Sequence, residues 1–238
     1  MPTMVDDLTL QRMTPFSYSC NQCSRCCYNK RIQVNPYEVA RLARNKGLST
    51  TDLIRDYLEP GKPYLRNQPD GACVFLTDRC CGVHGDRPLV CRLYPLGQTL
   101  TGEGEESFAQ ATPHPEKEGV YGHDGTVEGF LTAQGVAAFL HARDRYVAVV
   151  YRLLDLLDKE ISVNQATFTI TAETFYDHLA LQSALAHWLD MDRVIASYDQ
   201  PCQIPAQTDL PHRLALHLEI MEAWMATQTT GGNHEQLF

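Results

Sequence analysis

The stretch SYSCNQCSRCCYNK places Cys20, Cys23, Cys26 and Cys27 within eight residues, and a second stretch, ACVFLTDRCCGVHGDRPLVCR, adds Cys73, Cys80, Cys81 and Cys91. Thiols at this density pair as disulfides, hold a soft metal or an iron-sulfur centre, or cycle between redox states. Cys20, Cys23 and Cys26 form C-x-x-C-x-x-C, a spacing that lets a tight turn point successive sulfurs at one centre while backbone amides donate to them. Zinc knuckles use C-x-x-C. Bacterial ferredoxins use C-x-x-C-x-x-C with a fourth cysteine where this chain has Lys30, so the spacing does not name the metal. Copper(I) also suits thiolates, although four or more clustered ligands exceed what a simple carrier needs.

Cys27 adds a constraint, because two adjacent residues rarely turn both sulfurs to one mononuclear tetrahedral site without strain. A second metal or a bridging thiolate answers it. The second stretch repeats the problem with Cys80 and Cys81, and leaves open which of the two is a ligand. Eight thiols suffice for two closed tetrahedral sites or for one multinuclear iron or iron-sulfur centre. Sharing ligands across the gap relieves both surpluses, so the two stretches are expected to form one composite site. The ninth cysteine, Cys202 in DQPCQIP, is read as a spare thiol. A disulfide framework is disfavoured by the odd count of nine and by an N-terminus, MPTMVDDLTLQRM, without a basic start or apolar block, from which a cytoplasmic location is expected.

The elements that must position these thiols are mainly helical. NPYEVARLARNKG reads as a helix with Asn35 as N-cap, Pro36 in the first turn, Glu38 completing a capping box and Gly47 as stop. STTDLIRDYLEPG follows as a second helix, with Thr50 as cap and Leu53, Ile54, Tyr57 and Leu58 as its apolar face. This helical hairpin is expected to return the chain near its starting point at modest loop-closure cost. Cys73 to Leu76 is strand-like, and the following segment is irregular around Gly82, Gly85 and Pro88. Thr101 to Asp124, rich in Gly, Glu and Pro, reads as a linker or long surface loop. Beyond it, Val136, Phe139, Leu140, Tyr146, Val147, Val150, Leu153, Leu154 and Leu157 form a helical stripe interrupted at Arg143. Further helices are expected from near Thr171 through Leu189 and from near Asp209 through Trp224.

The fold class expected is therefore mainly α with irregular metal-organised loops and little β. Its parts are a cysteine-cluster region over 16–125, a helical region over 126–226 that packs on it, and a disordered tail over 227–238. A formal charge of −9 without a Lys/Arg stripe argues against nucleic-acid binding, and no apolar run is long enough for a membrane span. P-loop, G-x-S-x-G and H-E-x-x-H motifs are absent, as is the radical S-adenosylmethionine C-x-x-x-C-x-x-C spacing. His178, His187, His212 and His217 fall on amphipathic helices and read as polar-face or interface residues.

CNQCSRCC followed by CVFLTDRCCGVHGDRPLVCRLYPLG resembles the YkgJ-type CxxCxxCC cysteine-cluster family, described as zinc- or iron-chelating proteins. The resemblance spans about residues 16 to 97. Cys73, Phe75 and Leu76 match the family's C-x-F-L step. Cys81 matches its next cysteine, and Arg87, Pro88, Cys91, Arg92, Tyr94 and Pro95 match its R-P-x-x-C-R-x-[FY]-P block. The departures are Ser24 where a Gly is common, the extra Cys80, and His84 where the family tends to show a tyrosine. His114 stands where many relatives carry a further cysteine. His84 and His114 are thus further candidate ligands, and Arg87 and Arg92 are candidates for bonding the sulfurs or nearby backbone and offsetting thiolate charge. The resemblance implies zinc or iron, including an iron-sulfur cluster, as the cofactor. Three readings follow. The leading one is a metal-binding protein. The others are a metal-dependent protein-modifying enzyme related to the flagellin lysine N-methylases, and a structural zinc domain whose helical half binds a protein partner. The sequence names no catalytic residue and no small-molecule substrate.

Overall fold

The computed structural model describes residues 9–21, 23–78, 80–100, 105–111, 118–156, 187–198 and 209–229. Helix predominates: seven α-helices hold 48% of the described residues, and 22% lie in short strands. Among the described residues, those up to Gln33 and from Tyr64 to Ala138 form one compact unit; Val34–Pro63 and those from Phe139 onward form the other.

The second unit is helical. In α1 (Pro36–Lys46) the Asn35 side chain accepts from Glu38 N at 3.0 Å while the Glu38 carboxylate accepts from Asn35 N at 2.9 Å. This reciprocal box satisfies two of the helix's orphan amides and is worth about 1 kcal/mol. Gly47, at φ 68°, ends the helix by donating to Ala43 O and Arg44 O. Val39, Leu42 and Ala43 bury one face. The N-cap of α2 (Thr50–Tyr57) is Ser49, which accepts from Asp52 N; Thr50, expected as the cap, is the first helical residue. Its hydroxyl is engaged elsewhere, donating to Asp190 Oδ1 at 2.5 Å and accepting from Asp192 N at 2.9 Å. Asp192 in turn accepts from Thr50 N at 2.7 Å. The N-termini of α2 and of α6 (Met191–Ser197) thus cap each other. Helix α5 (Ala137–Leu156) buries Phe139, Ala142, Tyr146 and Val149, with Arg143 flanking that face. Helix α7 (Leu210–Thr229) buries Leu214, Leu218 and Met221. Residues 227–229 of the expected tail are helical. The helix expected from Thr171 lies outside the described residues up to position 186.

The first unit carries three antiparallel strand pairs. Strand β1 (Pro15–Ser19) pairs with β6 (Val120–Thr126), opposing Tyr18 to Tyr121. The pair β2 (Leu76–Thr77) and β3 (Cys80–Cys81) forms a short hairpin. Strand β4 (Leu96–Leu100) pairs with β5 (Glu106–Gln110), and Leu10 bridges to Phe108 on the other edge. The expectation of a linker over Thr101 to Asp124 is thereby corrected, since β5 and most of β6 fall within it. Phe108, 1% exposed between Ser107 and Ala109, anchors β5 in the core, and β6 is fixed by a partner a hundred residues upstream. The strand expected at Cys73–Leu76 is also corrected: its ladder begins only at Leu76, and Cys73 makes an isolated bridge to Asn67. Thr126 caps α4 (Val127–Ala133) by accepting from Gly129 N, and Phe130 meets Phe16 edge-on at 5.2 Å. Gly135, at φ 63°, breaks the chain between α4 and α5. The short helix α3 (Leu89–Leu93) carries Cys91. No described helix is long and apolar enough to cross a membrane.

Candidate metal centre

The eight cysteines from Cys20 to Cys91 are free thiols in the first unit. Cys20 follows β1 and is exposed, and Asn21 donates from its side chain to Glu118 O at 2.7 Å, tying this loop to the approach of β6. Ser24 stands at φ 62° and opens a 3-10 turn, Arg25–Cys27, closed by Cys27 N donating to Ser24 O at 2.9 Å. A left-handed residue is needed here, and glycine meets that need at the least steric cost. The turn presents Cys26 and Cys27 with their sulfurs 4.0 Å apart. Zinc-thiolate bonds of about 2.3 Å in a tetrahedron imply a sulfur-sulfur edge of about 3.8 Å, to which the separation of this adjacent pair is close.

The second stretch is stitched directly to the first. Cys73 N donates to Cys27 O at 2.8 Å, Tyr28 bridges to Ala72, and Asn29 N donates to Gly71 O at 2.8 Å. Gly71 is required by this seam: φ is +85°, and a Cβ would stand 2.2 Å from the Asn29 side-chain oxygen. Further along, Gln33 bridges to Tyr64 and Leu65 N donates to Ile32 O at 2.8 Å. The excursion over 34–63 therefore closes at its base. Gln68 fixes the loop that follows, its amide donating to Cys73 O at 3.0 Å and Leu76 O at 2.8 Å. In β3, neighbours alternate between faces, which leaves Cys80 exposed and Cys81 half-buried.

The thiols form an unequal electrostatic neighbourhood. Cys26 is held down at about 7 by hydrogen bonding with Cys27, with Lys30 and Arg87 adding positive charge. Cys27 is raised by that same bond, by burial and by the charges of Cys26, Cys91 and Cys73. Burial raises Cys73 and Cys81, both also within reach of Cys26. Cys26, Cys27, Cys73, Cys81 and Cys91 thus share one neighbourhood, to which both stretches contribute. Among the described residues, no three Cys, His, Asp or Glu side chains are grouped so that they could hold a metal ion.

Arg92, 7% exposed, donates to the backbone carbonyls of Arg87, Gln134 and Gly85, pinning the loop that carries Cys81 to the one that carries Cys91. Arg87 donates to His84 O at 2.7 Å and to the Gln134 side chain, while remaining in electrostatic reach of Cys26 and Cys81. His84 is exposed, its Nδ1 3.3 Å from the Arg87 guanidinium, and its pKa is lowered by desolvation and then by Arg87 and Arg92. His114 and Cys202 lie outside the described residues.

Tyrosines complete the surroundings. Tyr94 lies within electrostatic reach of Cys26, Cys23 and Cys20, and Tyr18 of Cys20 and Cys26; burial is the larger cause of the rise in both phenols. Tyr121, paired with Tyr18, is pushed up to about 12 by burial and by Tyr94. The motif block draws attention to Tyr94. Tyr18 has only its place two residues before Cys20 to mark it, and Tyr121 has no sequence signal.

A seam of backbone hydrogen bonds brings half-buried thiols of two stretches together, with cationic side chains beside them, and makes this a thiol-rich site. Residues 19–114 match the model of the CxxCxxCC family, described as "Putative zinc- or iron-chelating domain". Comparison with curated proteins and with solved structures returns no match.

Proposed function

We propose that this protein binds zinc or iron at one composite thiolate centre, built from Cys26 and Cys27 of the first stretch and Cys73, Cys81 and Cys91 of the second. The observation that carries the reading is the seam between Cys27 and Cys73, a backbone hydrogen bond of 2.8 Å that holds the two cysteine stretches in register. The donor set fits the metals: thiolates suit zinc and iron-sulfur centres, and the 4.0 Å Cys26–Cys27 separation is close to a tetrahedral edge. Zinc in such a set supplies folding energy and a fixed geometry, whereas iron adds one-electron chemistry. The chain's own contribution is preorganisation. Arg92 holds the backbone that presents Cys81 and Cys91, Lys30 and Arg87 offset thiolate charge at Cys26, and the Gln68 amide fixes the Cys73 loop.

Elemental analysis of anaerobically purified protein, with its absorption spectrum and acid-labile sulfide content, tests the reading. Stoichiometric zinc without visible colour, or iron with visible thiolate-to-iron bands, is the expected result. Protein that is fully reduced and folded yet takes up neither metal would refute it.

A further inference from the structure

The 3-10 turn Arg25–Cys27 sets two neighbouring thiols side by side. With three residues per turn, successive side chains leave a 3-10 helix about 120° apart, and here the sulfurs of Cys26 and Cys27 stand 4.0 Å from each other. The chain's other adjacent pair lies in β3, where neighbours point to opposite faces: Cys80 is exposed and Cys81 half-buried. Cys26 and Cys27 are both half-buried, which leaves them within reach of a small solute. The turn is anchored on both sides of the pair. Ser24, at φ 62°, opens it, Cys27 N closes it on Ser24 O at 2.9 Å, and Cys27 O accepts from Cys73 N at 2.8 Å. Neither thiol has to be brought from elsewhere in the chain.

We propose that Cys26 and Cys27 are a redox modification site, oxidised by a hydroperoxide to a vicinal disulfide and reopened by a dithiol. One thiolate attacks the peroxide; the O–O bond breaks, the sulfur becomes a sulfenic acid, and the departing hydroxide takes up the proton that this thiol released. The neighbouring sulfur then attacks the sulfenic sulfur and expels the second water. Two thiols and one hydrogen peroxide thus give one disulfide and two waters, with two electrons passing from sulfur to oxygen. A dithiol returns both electrons by exchange and leaves as its own disulfide. To close, the sulfurs move from 4.0 Å to about 2.05 Å. Adjacent Cα atoms stand about 3.8 Å apart, short of the roughly 4.4–6.8 Å that disulfides usually span, so the bond forms under strain and is easily reduced. Strained disulfides are the labile, regulatory ones. Resting on the composite-site reading, closure also withdraws two sulfurs from the centre, so the oxidised chain binds metal more weakly.

The test uses the metal-free, fully reduced full-length chain, treated with one equivalent of hydrogen peroxide, alkylated and digested with trypsin. Cleavage after Arg25 and Lys30 releases CCYNK, in which Cys26 and Cys27 are the only thiols. This peptide is expected unalkylated and two hydrogens lighter than its reduced form, and alkylated at both cysteines once the chain has been treated with dithiothreitol. Uptake of zinc(II) and, separately, of iron(II) is then followed by anaerobic equilibrium dialysis. For whichever metal the reduced chain binds, affinity should fall on oxidation by more than the about tenfold that loss of an outer-shell partner produces, and should recover on reduction. Three results would overturn the proposal: CCYNK alkylated at both cysteines while other thiols are consumed, CCYNK joined instead to the peptide that carries Cys73, or an oxidised chain that binds metal as the reduced one does. Failure of the reduced chain to bind either metal would instead refute the composite site, with the disulfide still decided by the peptide map.

Discussion

His217 makes the helical unit acid-sensitive, and the size of the effect follows from its surroundings. The side chain is 0% exposed. One ring nitrogen, Nδ1, meets the Tyr146 hydroxyl at 2.9 Å, and the other, Nε2, is buried and has no partner among the described residues. Trp188 packs against the ring at 6.3 Å. Burial, with Arg213 and His187 adding to it and Asp190 opposing, pushes the imidazole down from 6.5 to about 3. Below pH 6.5 the unfolded chain takes up a proton that the folded one refuses until about pH 3, so stability is full above 6.5 and is lost as pH falls toward 3. At about 1.36 kcal/mol per pH unit, the loss is about 3 kcal/mol by pH 4.5 and about 5 kcal/mol by pH 3. Against a typical domain stability of about 5–15 kcal/mol, this is enough to populate unfolded helices in mild acid. Urea unfolding read by tryptophan fluorescence isolates the effect, because Trp188 and Trp224 are the only tryptophans and their rings lie 5.6 Å apart in this cluster. His217→Phe changes absolute stability but should flatten its pH dependence between 6.5 and 4.5, leaving a smaller slope of the same sign from His187, whose pKa is also lowered by burial. A His217→Phe variant that loses stability as steeply as the wild type would refute the reasoning.

Two further outcomes follow. Arg92→Ala leaves the carbonyls of Arg87, Gln134 and Gly85 without their guanidinium donor, at about 1–3 kcal/mol for each that water cannot reach, and Arg92→Lys should not restore it, because an ammonium does not reproduce the planar fork; thermal unfolding of both variants checks this. Metal removal should raise amide exchange over 19–33 and 64–95 while leaving α1 and α2 protected, since those helices pack with α6 and α7 in the other unit; equal loss of protection in both would contradict the two-unit description.

How much of this was legible in the sequence depends on how far each feature reaches along the chain. Helix α1 was fully written in Asn35, Pro36, Glu38 and Gly47, because caps act within four residues. The cysteines announced themselves by spacing. Strands β5 and β6 did not: GEGEES and GVYGHDG read as loop by composition, and β6 exists because β1 supplies its ladder from far upstream. The partners of the hairpin over 36–57 were equally hidden, since Asp190 and Asp192 cap α2 across about 140 residues of sequence. The role of Arg92 is a similar case. The motif marked it as important, but only the fold reveals that its guanidinium reaches three backbone carbonyls.

The central claim, that thiols from both stretches serve one centre, is tested most directly by metal content and absorption spectrum in two single variants, Cys27→Ser and Cys91→Ser, purified alongside the wild type. These residues are 64 positions apart in sequence, yet their thiols are electrostatic neighbours. Each substitution should lower metal stoichiometry and disturb the same spectroscopic signal. Loss of metal in Cys27→Ser with content and spectrum untouched in Cys91→Ser would contradict the account and leave an independent N-terminal knuckle in its place.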